Sequence, residues 1–356
     1  MNTISTEQII TRYFIKYNQL RNLIFGAFSG SRATEVNMFI DLYGLYKTMF
    51  SRTYRTDVSD YTAFTSTIIN MCAHYRGFFK GMGVYTKFFI ISSYNIPEIN
   101  TRFVAEYNKS MKEKLMNQQV KEMVEINKEL LSILCPYLPD IHFLQTEFES
   151  TVLIHEIIEK EIKEGNNNPN IILSTDLYPI QLCNCFPNTI FLRPRKAKGE
   201  DFSMCTVPND APEFDISFWS MVALERDGLR DILKLTRVSP ANFVLLMSMT
   251  RFPERNFKSL INTTVAEKTI LEIARDSKIG YNVEALYSAN PDLYNRFPKE
   301  TLNARYKCLA VQYQVSLFRE SLEATTLHYE NLQDPNAVNM INDKYFSNNP
   351  IDIFRL

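Results

Sequence analysis

Residues 36–41 read Val-Asn-Met-Phe-Ile-Asp, a short apolar run that ends on a carboxylate and is followed by a helical pattern. A second run, 87–91, is apolar after its first residue, which is typical of a strand buried on both faces of a sheet. Shorter runs at 141–144, 170–173 and 189–192 alternate with amphipathic helical patterns. This alternation predicts an α/β fold with a parallel sheet that is flanked by helices.

The composition allows a large hydrophobic core and excludes several classes of protein. The chain has 356 residues, of which 45% are apolar and 22% are charged, so global disorder is not expected. Its 39 basic and 40 acidic residues leave a net charge of −1, which excludes binding of nucleic acid through bulk positive charge. Because the sequence has neither an apolar stretch of about 20 residues nor a signal-peptide pattern, we expect no membrane partner and an intracellular location.

Scarce histidines and glycines narrow the possible chemistry. The four histidines are not spaced as paired metal ligands, so a histidine-based zinc or iron site is not expected. The ten glycines form neither a Walker-type loop nor a G-x-G-x-x-G fingerprint, which excludes the common nucleotide-binding loops. The six cysteines are scattered, and we interpret them as reduced thiols of an intracellular protein.

The pattern of the chain divides it into segments. An N-terminal helix and linker occupy 1–34, and the strand–helix alternation occupies 35–210. Its last part, 201–212, is irregular, and residues 211–330 then predict an all-helical C-terminal domain. A polar, asparagine-rich tail occupies 331–356. Amphipathic spacing predicts helices at 5–24, 62–80, 114–134, 151–164, 216–224, 229–236, 240–249, 257–276 and 302–327.

Carboxylates lie next to the ends of several predicted strands. Asp41 closes the first strand, Asp176 follows the strand at 171–173, and Glu147 and Glu149 open the helix after the strand at 141–144. In an open parallel sheet, ligands bind beyond the carboxyl ends of the strands. Carboxylate oxygens are the ligands that Mg²⁺ and Mn²⁺ prefer, and such a cluster could hold one or two ions for in-line attack on a phosphodiester.

Each of these carboxylates also has an ordinary structural explanation. Acidic residues are common at strand ends and at helix N-termini, where they cap free N–H groups and interact favourably with the helix dipole. The joint placement of the four residues at one predicted edge, rather than any single residue, favours a metal site.

The order of motifs resembles that of the flap endonuclease and 5′-3′ exonuclease family. Residues 39–46, F-I-D-L-Y-G-L-Y, are similar to the strand and apolar helix that open that family. Its E-A-D-D motif is matched by 148–151, F-E-S-T, or, one step over, by 147–150, E-F-E-S. Residues 173–182, L-S-T-D-L-Y-P-I-Q-L, resemble its S-G-D-K-D-L-L-Q-L motif, and 240–246 resemble its P-x-x-F helix. The resemblance spans roughly residues 36–275, and the family includes bacteriophage members.

The resemblance implies a PIN-like core, with DNA as the partner and Mg²⁺ or Mn²⁺ as the cofactor. It implies Asp41 and Asp176 as direct metal ligands, with Glu149, or alternatively Glu147, completing the site. Basic residues provide possible phosphate contacts to branched or single-stranded DNA, although each cluster is also explained as an ordinary solvated surface. The two clusters contain Arg102, Lys109, Lys112, Arg193, Arg195 and Lys196.

The sequence departs from the family at several acidic positions. The acid of the second strand is replaced near Ser92, and the second acid of S-G-D-K-D is Tyr178. The paired aspartates of E-A-D-D become Ser150 and Thr151, or at best Glu149 keeps one acid of the pair. The family's glycine-rich hairpin is lost because 251–268 contain no glycine. These departures predict a degenerate metal site with weak or lapsed nuclease activity. Two alternatives remain: an active Mg²⁺-dependent 5′ nuclease, and a bacteriophage structural or assembly protein that binds a protein partner and is virion-associated.

Overall fold

The computed structural model describes residues 34–42, 45, 61–93, 118–174, 178–186, 188–194, 202–206, 244, 248–249, 283–289, 291, 298–327 and 333–345. The strands are β1 (Glu35–Asp41), β2 (Tyr85–Ser92), β3 (Ile141–Gln145), β4 (Asn170–Leu173), β5 (Thr189–Pro194) and β6 (Phe202–Thr206). The helices are α1 (Tyr61–Lys80), α2 (Gln118–Leu134), α3 (Ser150–Lys163), α4 (Ile180–Cys185), α5 (Val283–Ala289), α6 (Lys299–Leu309), α7 (Val311–Leu327) and α8 (Pro335–Tyr345).

Within the described residues, six strands form one sheet in the order β3-β2-β1-β4-β5-β6. Strands β1 to β5 are parallel, and β6 runs antiparallel to β5 at the edge. Strand β1 lies inside the sheet because the chain adds β2 and β3 on one side and then returns to add β4 and β5 on the other. The predicted α/β fold, a parallel sheet flanked by helices, is therefore confirmed.

Strand β6 lies in the stretch 201–212, for which the sequence pattern predicts irregular structure. Met204 of this strand stands opposite Leu192 of β5. The strand has only five residues, and its neighbours in the sequence are mostly polar, so its sequence pattern is weak. Its pairing with β5 therefore decides its conformation. The prediction of an irregular stretch is wrong for these residues.

One face of the sheet packs against α1 and α2. Because side chains alternate along a strand, Val36, Met38 and Ile40 point to this face together with Phe88 and Ile90. They share one buried cluster with residues of the two helices, among them Ile68, Met71, Cys72, Tyr75, Val124 and Leu131. Burial of this apolar surface supplies the main favourable term for folding of the sheet.

The opposite face of the sheet packs against α3. Phe39 and Phe89 stack on this face with ring centroids 4.9 Å apart, and Lys87 Nζ lies 3.0 Å from Oε1 of Glu161 on α3. Helix α3 also packs against α7, so most of its residues are buried. The contact of Lys87, near the start of β2, with Glu161, near the end of α3, shows that the helix runs opposite to the strands. The first residues of α3 therefore lie at the carboxyl end of the sheet.

The C-terminal region is helical where the structure describes it, as the sequence predicts. The predicted helix 302–327 is divided into α6 and α7, because Ala310 adopts φ −78° and ψ 104° between them. Helix α7 is itself bent at Phe318, whose φ is −114° and ψ is 17°, and the ring of Phe318 lies 5.3 Å from that of Phe148. This contact joins the C-terminal helices to the turn that precedes α3.

Helix α8 lies in the segment that the sequence pattern groups as a polar tail. Ile341 packs against Leu130 and Leu134 of α2, and Tyr345 Oη donates a 2.7 Å hydrogen bond to Oε2 of Glu129. Helix α8 has two buried residues on one side and is otherwise polar. Its composition alone therefore indicates a polar tail.

Other predicted elements fall outside the described residues. They include the helices at 5–24, 216–224, 229–236 and 257–276 and most of 240–249. The boundaries at 34, 210 and 330 remain predictions. None of the helices in the described ranges is long and apolar enough to cross a membrane.

Candidate metal site

Asp41 is the last residue of β1, and it is 2% exposed. Its Oδ2 accepts a 2.6 Å hydrogen bond from the Oγ of Ser174, which directly follows β4 and is fully buried. Strands β1 and β4 pair with Ile40 opposite Leu173, so the same register brings Asp41 beside Ser174. A hydrogen bond from a hydroxyl to a carboxylate holds the carboxylate in one orientation.

The Asp41–Ser174 pair lies where the order of the strands reverses. From β1 the chain passes to β2 on one side of the sheet, and it later returns to β4 on the other side. In open parallel sheets, ligands bind outside the carboxyl ends of the strands at such a point. Asp41 therefore lies at the edge where a ligand site is expected.

Glu149 and Glu147 lie on the turn between β3 and α3, and their exposures differ. Glu149 occupies the N-cap position of α3 and is 5% exposed, whereas Glu147 is exposed. The side chain of Glu149 makes no capping hydrogen bond, and its backbone carbonyl instead accepts bonds from the N–H groups of Val152 and Leu153. Capping therefore does not explain the Glu149 carboxylate, which is buried at the same end of the sheet as Asp41.

The turn after β3 leads the chain from the edge of the sheet towards its centre. Strand β2 separates β3 from β1, so the ends of these two strands are roughly 10 Å apart at the usual strand spacing. The N–H of Thr146 donates to the Ser92 carbonyl at 3.0 Å, and the N–H of Phe148 donates to Thr146 Oγ1 at 3.0 Å. Helix α3 then packs against β1, the strand that carries Asp41.

Buried hydroxyl groups occupy the neighbouring positions at this end of the sheet. Ser92 ends β2, Ser93 follows it, and Ser150 and Thr151 begin α3; all four side chains are buried. Among the described residues, Ser92 Oγ has no hydrogen-bond partner. That Ser92, Ser150 and Thr151 replace acids of the flap endonuclease family stays a prediction from the sequence.

Several predicted site residues lie outside the described residues. They are Asp176, Arg102, Lys109, Lys112, Arg195 and Lys196. Arg193 lies in β5, with its backbone opposite that of Ser203 in β6. The part of the chain that the structure describes contains no group of three or more His, Cys, Asp or Glu that could hold a metal ion. A set of three protein ligands therefore needs a further residue, and Asp176 is the predicted one.

Ser174 is a site residue to which the sequence pattern assigns no role. Its signal in the sequence is its position directly after an apolar strand, two residues before Asp176. Only the register between β1 and β4 reveals that its partner is Asp41. Tyr178 is likewise explained by the structure, because its buried side chain donates a 3.4 Å hydrogen bond to the carbonyl of Cys308.

Comparison with known proteins gives matches among solved structures, whereas no protein-family model and no curated protein matches the chain. The chain is similar to the D15 flap endonuclease of bacteriophage T5, in a complex with DNA and metal ions, at 13% identity and a TM-score of 0.48, over 82% of this chain and 97% of that one. It is also similar to the T5 5′-exonuclease with bound zinc, at 13% identity and a TM-score of 0.46, over 88% and 98% of the two chains. Both of these solved structures are of a flap endonuclease or 5′-exonuclease, the family that the order of motifs in this chain resembles.

Proposed function

We propose that this chain is a flap-endonuclease-like protein that acts on or binds DNA, with a degenerate carboxylate metal site and weak or lapsed nuclease activity. One observation carries the proposal: Asp41 is buried at the carboxyl end of an inner strand and is oriented by Ser174 at 2.6 Å. Burial of a carboxylate is costly, so a carboxylate kept at a ligand-binding edge of a parallel sheet favours a binding role.

The donor groups at this edge fit a hard divalent cation. Asp41 and Glu149 are buried and offer carboxylate oxygens, which suit Mg²⁺ or Mn²⁺. Together with Asp176 they would hold one ion, and Glu147 is the exposed alternative to Glu149. A bound divalent ion supplies neutralisation of charge at a phosphodiester and promotes ionisation of an attacking water.

Ser174 supports this site without contributing charge. Its hydroxyl donates to one oxygen of Asp41, and both groups are buried, so water does not compete for this hydrogen bond. The carboxylate is therefore oriented before a ligand arrives, which lowers the cost of ordering it on binding.

Hydroxyl side chains at the neighbouring positions favour a reduced site. Ser92, Ser150 and Thr151 are buried where the family resemblance implies acids. A hydroxyl has no negative charge, so these residues do not balance a second divalent cation in buried surroundings. We therefore propose one ion at most, and slow cleavage or none.

Two basic clusters supply the proposed contacts to DNA. They consist of Arg102, Lys109, Lys112, Arg193, Arg195 and Lys196. Lysine and arginine position the phosphate backbone of branched or single-stranded DNA without reading its sequence. Because the net charge of the chain is −1, binding of DNA would have to come from local clusters of this kind.

Binding and cleavage of a labelled 5′-flap duplex test the proposal. The wild-type protein is incubated with the duplex and Mg²⁺ or Mn²⁺ beside the D41A/D176A double variant, and circular dichroism checks that both are folded. We expect DNA binding, with slow metal-dependent cleavage or none, and any cleavage should vanish in the double variant. Cleavage that survives in the variant contradicts the assignment of the site.

Two other outcomes separate the alternatives. Rapid cleavage that the same substitutions abolish favours an active Mg²⁺-dependent 5′ nuclease. Neither binding nor cleavage by the folded protein contradicts a role on DNA, and it favours a bacteriophage structural or assembly protein that uses the fold as a scaffold.

A further inference from the structure

Helix α7 bends at Phe318 although its own sequence contains no common cause of a bend. The backbone of Phe318 has φ −114° and ψ 17°, whereas the helix contains neither proline nor glycine. Sharp bends in helices usually occur at one of these two residues. A bend without either of them points to contacts with other elements of the protein.

Phe318 contacts the turn that joins β3 to α3. The centroid of its ring lies 5.3 Å from that of Phe148, with 36° between the two ring planes. Phe148 is 3% exposed and Phe318 is half-buried, and aromatic rings at this separation attract each other beyond the effect of burial. The next residue also attaches α7 to α3, because Arg319 Nη1 lies 3.2 Å from Oε2 of Glu159. The bend therefore lies where α7 meets α3 and the turn before it.

The turn has only four residues, 146–149, and both candidate carboxylates of this turn flank Phe148. Glu147 is exposed, whereas Glu149 is 5% exposed. Inside the turn, the N–H of Phe148 donates to Thr146 Oγ1 at 3.0 Å. The path from the ring of Phe318 to Glu149 thus consists of one ring contact and one peptide bond, and the structure describes every residue along it.

We infer that Phe318 is a positioning residue: its ring holds Phe148 in place and thereby fixes the turn that carries Glu149. A displacement of about 1 Å is enough to impair a binding or catalytic group, so a contact that fixes this turn matters for the site. The role of Glu149 as a metal ligand rests on the proposed function, whereas the fixing of the turn rests on the ring contact alone.

Three variants separate the ring contact from general stability. Phe318→Leu keeps an apolar side chain and loses the aromatic contact. Phe318→Tyr keeps the ring, and the half-buried position lets its hydroxyl reach water. Phe78→Leu is the matched control, because Phe78 lies near the end of α1, in the buried cluster on the other face of the sheet, where its ring contacts that of Phe79 at 5.0 Å. Circular dichroism checks that all variants are folded.

Hydrogen–deuterium exchange measures how firmly the turn is fixed. The N–H groups that report on it are bonded within the turn or at the start of α3, and they belong to Thr146, Phe148, Val152 and Leu153. We expect exchange in peptides that cover 145–153 to be about tenfold faster in Phe318→Leu and unchanged in Phe318→Tyr and Phe78→Leu. Wild-type exchange of these peptides in Phe318→Leu, or an equal acceleration in Phe78→Leu, overturns the inference.

Titration with Mn²⁺, followed by electron paramagnetic resonance, tests whether the fixed turn matters for the site. We expect Phe318→Leu to weaken Mn²⁺ binding about tenfold, in the range found for residues that orient metal ligands. Phe318→Tyr and Phe78→Leu should bind Mn²⁺ as the wild-type protein does. Wild-type Mn²⁺ affinity in Phe318→Leu overturns the positioning role. If the wild-type protein binds no Mn²⁺, the proposed metal site fails, and the exchange experiment still decides whether Phe318 fixes the turn.

A double-mutant cycle assigns the effect to the contact between the two rings. Phe148→Leu should weaken Mn²⁺ binding about as much as Phe318→Leu does. The double variant F148L/F318L should bind Mn²⁺ no more weakly than either single variant, because both substitutions remove the same contact. Losses that simply add in the double variant would mean that the two rings act independently, which overturns the inference.

Discussion

The two ends of the sheet hold their buried charges in different ways on the face that packs against α3. Near the amino ends of the strands, Lys87 and Glu161 lie 3.0 Å apart and match a positive with a negative charge. At the carboxyl ends, Asp41 Oδ2 is bonded at 2.6 Å to the hydroxyl of Ser174, which orients the carboxylate without neutralising it. Matched charges reduce the cost of burial, whereas an oriented carboxylate suits a cation. We propose that the amino end serves stability and that the carboxyl end serves binding.

The pairing register of β1 and β4 connects these two ends of the sheet. Asn37 of β1 stands opposite Asn170 of β4, and its Nδ2 donates to Oδ1 of Asn170 at 3.2 Å in a buried pair. The same pairing places Asp41 beside Ser174. A slip by one residue would turn every side chain of the strand to the other face, so the asparagine pair at the amino end helps to specify the geometry of the carboxyl end.

The largest effect should come from Asp41→Asn. The amide oxygen can still accept the hydrogen bond from Ser174, but the charge is lost, so we expect Mn²⁺ affinity to fall at least about 100-fold and any metal-dependent cleavage to disappear. The free energy of unfolding should stay within about 1 kcal/mol of the wild-type value. Calorimetric Mn²⁺ titration beside urea unfolding checks both results, and an unchanged Mn²⁺ affinity would remove the functional distinction between the two ends.

Lys87→Met should lower stability and leave Mn²⁺ affinity unchanged, which is the reverse of the effect expected for Asp41→Asn. It leaves the Glu161 carboxylate largely buried without its ammonium partner, although Asn166 Nδ2 still donates to it at 3.2 Å. We expect the free energy of unfolding to fall by about 2–3 kcal/mol and Mn²⁺ affinity to stay unchanged. The double variant K87M/E161Q is the control, since removal of both charges should restore part of the loss. A change of Mn²⁺ affinity without a loss of stability would be the opposite of what the comparison predicts.

Helix α3 spans both ends, and His155 in its middle makes stability depend on pH. Burial lowers the pKa of His155 from 6.5 to about 4; nearby Glu159 raises it, and Arg319 and Lys163 lower it. The unfolded chain therefore takes up a proton at a higher pH than the folded protein does. The stability from this group is complete above pH 6.5 and is lost as the pH falls from 6.5 to 4, by about 3 kcal/mol.

His155→Phe isolates this contribution. Phenylalanine does not titrate, and it can keep the ring contact with Phe186, whose centroid lies 4.8 Å from that of His155. Urea unfolding at about pH 7.5 and pH 5, on either side of the pKa of a free histidine, should show a smaller loss of stability for the variant than for the wild-type protein. Equal losses in the two proteins would assign the acid sensitivity to other groups.

The parts of the fold that could be predicted from the sequence are those with a local pattern. Strand β4 is an apolar run that is buried along its whole length, and its bounds agree with the prediction. Strand β6 and the break at Ala310 have no such pattern. Strand β6 pairs with β5, and the residues on both sides of the break bond to Gln181, which lies far away in the sequence. Tertiary contacts, rather than propensity, decide these two features.

The candidate site likewise has features that the sequence predicts and features that depend on tertiary contacts. A carboxylate at a strand end can be read from the sequence, which is how Asp41 is predicted. The partnership of Asp41 with Ser174 depends on the register of β1 and β4, which a single sequence does not specify. The choice between Glu147 and Glu149 depends on a turn in which Thr146 Oγ1 accepts from a backbone N–H, so the sequence leaves both open.

The choice between Glu147 and Glu149 gives the smallest predicted effect on Mn²⁺ binding, and the two substitutions form the closest matched pair of variants. Glu149 is buried and Glu147 is exposed, so Glu149→Gln should weaken Mn²⁺ binding about tenfold, as expected for one supporting carboxylate, whereas Glu147→Gln should leave it unchanged. Both substitutions remove one charge from the same turn, so general electrostatic effects cancel in the comparison. An effect of Glu147→Gln alone would reverse the assignment. If neither substitution has an effect, the binding end of the sheet is limited to the ends of β1 and β4, and α3 contributes to stability only.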